Sequence, residues 1–67
     1  MFKNSYCIII DDGAKADMIM KLAANHNLHA NYKIGVYGNE RQHEIFVYGR
    51  WWDYYKLKNE LTELGYI

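Results

Sequence analysis

The residues of this 67-residue chain whose types could do chemistry are few: adjacent carboxylates at Asp11 and Asp12, imidazoles at His26, His29 and His43, and one thiol, Cys7. Paired acids where a strand meets a helix could hold Mg²⁺. The same position suits capping, in which one aspartate accepts the first backbone N–H groups and both complement the helix's positive end. His26 and His29 straddle a helix end, so their rings are not set on one face. No CxxC or HxxxH spacing supports zinc. Cys7 lies in an apolar strand, where it is expected to be buried as a small hydrophobe. No local signature supplies the base or the lowered pKa that a nucleophilic thiol needs. "DDGAKAD" holds one glycine, too few for a phosphate loop. The expectation is a protein with no catalytic residues, no metal and no cofactor, and not an enzyme.

The chemistry that remains is recognition. "RWWDYYK", Arg50 to Lys56, places four large rings in five consecutive positions. At about 100° per residue Tyr54 aligns with Leu57, Leu61 and Leu64 and should face the core. Trp51 falls on the shoulder of that stripe, and Trp52 and Tyr55 point nearly opposite. If the helix starts before Asp53, those two rings form an exposed pair. If Asp53 is the N-cap, Trp52 becomes N′ and Leu57 N4, and the two form a hydrophobic staple. Either way aromatic surface remains beside Arg50 and Lys56, and Trp, Tyr and Arg are the residues most enriched at binding hot spots. The candidate partner-binding residues are therefore Arg50, Trp51, Trp52 and Tyr55, with Tyr37, Phe46 and Tyr48 as a second set.

These side chains need elements to position them. "SYCIII", Ser5 to Ile10, is short and β-branched and reads as a strand bounded by "DDG". From Ala14 the period is helical, with Met18, Ile19, Leu22 and Ala23 on one face and His26 beside them. Asn27 suits the left-handed C′ position, and Leu28 should fold back on the last turn. "NYKIGVYG" and "HEIFVYG" alternate, and "GNERQ" between them makes a hairpin. Placing Ile34 and Val36 on the face of Ile45 and Val47 requires opposed residue numbers that sum to an odd value. One such register sets Gly35 beneath Phe46 as aromatic cover. The last helix ends at Gly65, and "YI" could add a stub of strand.

The order is β-α-β-β-α, a single α+β domain over residues 1–67. A right-handed crossover followed by a hairpin predicts a three-stranded antiparallel sheet, order 1-3-2, with two helices on one face. This resembles a truncated ferredoxin-like fold lacking most of its final strand, an analogy that carries no function. It leaves one sheet face bare and the first strand as an open edge.

On the bare face, Phe46 and Tyr48 lie two apart on the central strand, with Tyr6 expected as a third ring. RNA-recognition motifs stack bases on such pairs. "EIFVYG" departs from that pattern at Glu44, where a basic residue is expected, at Ile45, where glycine is, and at Val47, where a small residue is. Eight basic and eight acidic residues give no net charge, and no basic stripe marks a nucleic-acid binder. One cysteine precludes an internal disulfide, and a core this small rarely supplies more than about 3–5 kcal/mol, so a homodimer or a tight protein partner is expected to extend it. No export signal or membrane-spanning run is visible, which together with the single thiol suggests the cytoplasm. In style the chain resembles tiny phage-encoded proteins that bind host enzymes, which would place it in the host cytoplasm. The leading expectation is a small interaction protein that modulates or inhibits a partner protein. The alternatives are a nucleic-acid-binding sheet and a dimeric small-ligand regulatory domain.

Overall fold

A computed structural model describes residues 4–67. Strand β1 runs Asn4–Ile10, a 3-10 turn at Gly13–Lys15 leads into helix α1, Ala16–Asn25, and strands β2, His29–Tyr37, and β3, Glu40–Gly49, form a hairpin followed by helix α2, Trp51–Glu63. The sheet is antiparallel with order β1-β3-β2, so the α+β architecture is the one the periodicities predict. Opposed numbers in the hairpin sum to an odd value, as for Tyr32 opposite Ile45. The hairpin is longer and tighter than "GNERQ" suggests: Tyr37 pairs with Glu40, and only Gly38 and Asn39 turn. Gly38 has φ 65°, the conformation a type II′ turn demands at its first central position.

One face of the sheet carries the core. Ile8 and Ile10 of β1 and Ile45 and Val47 of β3 join Ala16, Ile19 and Ala23 of α1, Leu57 and Leu61 of α2, and Leu28 in one buried cluster. Both helices therefore pack on that face. Each full burial of an Ile or Leu contributes about 1.5–3 kcal/mol, and small residues at 16 and 23 let α1 approach the sheet. Both helices end in the same way. Asn27 has φ 61°, with its N–H donating to Ala24 and that of Leu28 to Ala23; Gly65 has φ 80°, with its N–H donating to Thr62 and that of Tyr66 to Leu61. These are Schellman closures, in which the residue after the left-handed one packs back on the helix.

That closure corrects two expectations. Leu64 is 55% exposed rather than in the core stripe, because Tyr66 folds back against the cluster in its place. Tyr66 and Ile67 consequently form no strand. Met18 is also exposed, because the buried stripe of α1 centres on Ala16, Ile19 and Ala23. Gly35 lies opposite Gln42 and Phe46 opposite Asn31, so Phe46 does not cover Gly35. Cys7 is exposed rather than buried: it opposes Phe46, not Ile45 or Val47, and so lies on the bare face. Tyr32, Ile34 and Val36 share the face of Ile45 and Val47 yet remain exposed. The last β1 pair is Ile10 with His43, and the hairpin continues beyond it to Tyr37 and Glu40.

Candidate functional site

The first turn of α2 holds the aromatic stretch. The amide of Tyr54 donates to the carbonyl of Arg50 at 3.1 Å, so Arg50 is the N-cap and helical geometry begins at Trp51. Asp53 is then a first-turn acid facing the positive end of the helix. The staple reading fails for that reason, and Leu57 is committed to the core. Trp51, Trp52 and Tyr55 are 49%, 38% and 57% exposed. They are not independent. Trp51 meets Trp52 edge to face at 5.5 Å and 86°, and Tyr55 at 5.9 Å and 87°, geometries that the ring quadrupoles favour. The Arg50 guanidinium lies 5.4 Å from the centroid of the Trp52 ring. Three rings and a cation thus order one another before any ligand arrives, which lowers the entropy lost on binding.

Tyr54 faces the sheet as expected and stacks on Tyr6 of β1 at 3.7 Å, nearly parallel. Desolvation pushes its hydroxyl pKa up, with a further push from Tyr6. Tyr6 opposes Val47 and therefore sits under α2, so it is not the third ring of the bare face. That face holds Phe46, half-buried with the Lys33 ammonium 5.6 Å from its centroid, and Tyr48, which is exposed. Tyr37 is engaged there: its hydroxyl donates to Glu44 Oε2 at 2.8 Å. The candidate residues fall into two sets on opposite faces of the sheet, Arg50, Trp51, Trp52 and Tyr55 on α2 and Tyr37, Phe46 and Tyr48 on the bare face.

Two polar pairs escape the sequence reading. Glu44 is only 5% exposed on the bare face, its carboxylate lying over Gly35, where a Cβ would come within 3.1 Å of both oxygens. The hydrogen bond and the charge of Glu44 push the Tyr37 pKa up. On the helix face the Tyr32 hydroxyl and His43 Nδ1 share a 2.6 Å hydrogen bond, beside Gly13, whose missing Cβ makes room for both. The available signal was register: the odd-sum pairing makes Tyr32 and His43 diagonal neighbours, as it does Gly35 and Glu44.

The titratable candidates have local partners. Asp12 accepts the Ala14 amide at 2.9 Å. Asp11 bonds Lys15 at 3.2 Å, and that ammonium holds its carboxyl below the usual range. His26 meets Glu60 of α2 at 3.1 Å and does not converge with His29. Desolvation and the charge of Glu44 push the Cys7 thiol up, away from the thiolate form that attacks electrophiles. Among the described residues no three His, Cys, Asp or Glu side chains gather as a metal set, and no helix is long and apolar enough to cross a membrane. No protein-family model matches the chain, and no curated protein or solved structure is detectably similar to it.

Proposed function

We propose that this chain is a small non-enzymatic interaction protein that acts by occupying the surface of a partner protein and thereby modulating or inhibiting it. The observation that carries the reading is the ordered cluster of Trp51, Trp52 and Tyr55 with Arg50 on the Trp52 ring. Rings of this size left half in water are costly for a domain whose described residues bury ten apolar side chains, and the types are those of hot spots. Recognition through the bare face is the weaker alternative. Its stacking set lacks Tyr6, and a chain of zero net charge has no basic excess for phosphates.

Affinity purification from lysate, with and without nuclease, tests the proposal when run beside the double variant Trp52→Ala/Tyr55→Ala. The expected result is a stoichiometric protein that survives nuclease and is lost with the two rings. Loss of all bound material on nuclease treatment would instead support the nucleic-acid reading, and a protein retained by the double variant would remove the α2 cluster from the interface.

A further inference from the structure

The two edges of the sheet are not equivalent. β2, His29–Tyr37, carries Lys33 at its midpoint. A second copy pairing with it antiparallel about a two-fold axis would set Lys33 against Lys33, and like charges directly opposite are destabilising. β1, Asn4–Ile10, has no charged residue and no proline along its seven positions. It is an edge strand without the devices that normally block strand addition. We propose that β1 is a self-pairing edge, and that two copies of this chain join through β1 into one continuous six-stranded sheet with Cys7 at the two-fold axis.

The strand's own symmetry supports a second copy as the occupant. Cys7 is the midpoint of Asn4–Ile10, so full overlap about a two-fold axis sets Cys7 opposite Cys7 of the second copy. Tyr6 then meets Ile8, Ser5 meets Ile9, and Asn4 meets Ile10. Every pair joins residues of one face, so the helices of both copies stay on the same side of the joined sheet. Ile9, 56% exposed on the bare face, gains a cross-strand neighbour. The flanking helix adds apolar surface. Tyr54 stacks on Tyr6, which places α2 toward the β1 side. Glu60 turns to α1 through His26, and Trp51 lies about 180° round the helix from Glu60. Trp51 therefore projects over the β1 edge, where a second copy would cover it. The pairing is closed: it consumes both unprotected edges and leaves the Lys33-bearing strands outermost, whereas β1 adding to β2 would propagate without end. Trp52 points away from the sheet and stays free, so the pair covers Trp51 and leaves Trp52 open to a foreign protein.

Cys7 makes the proposal testable without altering the protein. Opposed Cα atoms in an antiparallel pair are about 4.5–5.5 Å apart, within the span a disulfide bridges. The full chain is examined by light scattering under reducing conditions across micromolar concentrations, then treated with diamide, which accepts the two electrons and two protons lost by a pair of thiols. The expected result is twice the 8.0 kDa chain mass, near-complete cross-linking at those concentrations, and a shift to monomer in Cys7→Lys with an unchanged circular dichroism spectrum. Cys7 is exposed, so that substitution spares the core, and Ile9→Lys is a second charged variant of the same edge. A species of 8.0 kDa throughout, a ladder of higher assemblies, or a dimer that does not cross-link and survives both lysines would overturn it.

Discussion

Gly35 is a glycine because two side chains lie where its Cβ would be, the Tyr37 ring at 2.8 Å and the Glu44 carboxylate at 3.1 Å. Gly35→Val should lower stability by about 1–3 kcal/mol, the range for overpacking, measured by denaturant melts. An unchanged midpoint would show that the Tyr37 and Glu44 side chains move aside freely. The same trio carries a pH signature. The Tyr37 pKa is raised from 10.0 in the folded chain by Glu44, so its contribution to stability is complete below pH 10 and is lost as pH climbs through the folded value. Tyr37→Phe should lower the melting temperature at neutral pH and flatten part of the alkaline fall. Tyr54, raised in the same direction, keeps the remainder. Removing Trp52 and Tyr55 together should leave the melting curve nearly unchanged, because both rings point away from the core, whereas Tyr54→Ala should destabilise by losing the stack on Tyr6. Equal melts for Tyr54→Ala and wild type would contradict that division.

At the scale of the element, α2 shows how a helix's end redirects its face. Leu57 and Leu61 are fully buried, and Leu61→Ala should cost about 2–5 kcal/mol through the cavity it opens. Leu64 continues the same stripe in sequence, yet Leu64→Ala should change stability by no more than about 0.5 kcal/mol, the range of an exposed site. Chemical denaturation of the two variants checks both values, and a large loss at Leu64 would mean that the Gly65 closure does not form in solution. The hairpin shows the complementary case. Its strands alternate faultlessly, but Val36 stays in water beyond the last β1 pair, Ile10 with His43, and Ile34 stays 45% exposed on the outer strand in that last row.

For the whole molecule, a core of ten buried apolar residues among those described, with no internal disulfide, leaves little reserve, and the extents of 39 × 25 × 14 Å describe a thin body. If two copies share one sheet, association is linked to folding, and the melting temperature should rise with protein concentration. Differential scanning fluorimetry over a hundredfold dilution would show it, and a concentration-independent midpoint would point to a folded monomer. The elongated shape also separates the surfaces. Trp52, on the far side of α2 from the sheet, and Tyr37 and Glu44, on the bare face, lie apart from one another, so variants at one should leave the other readable.

The element types, their order, the odd-sum pairing of β2 with β3 and the left-handed ends at Asn27 and Gly65 were legible in the chain itself. Each rests on local periodicity or on a residue whose backbone preference acts alone. Which layer Tyr6 of β1 faces was not legible, because Tyr6, placed beside Phe46 and Tyr48 as a third ring, is assigned by its pairing with β3. The start of α2 was equally undecided, since Asp53 is a competent N-cap on paper. The carbonyl of Arg50 takes the first helical bond instead, and with it Trp52 changes from a packing residue to an exposed one. Glu44 was read only as a departure from a motif. Its burial depends on a glycine and a tyrosine brought alongside by the neighbouring strand, and one-dimensional patterns do not contain which side chains meet across strands, nor where a sheet outruns the helices that cover it.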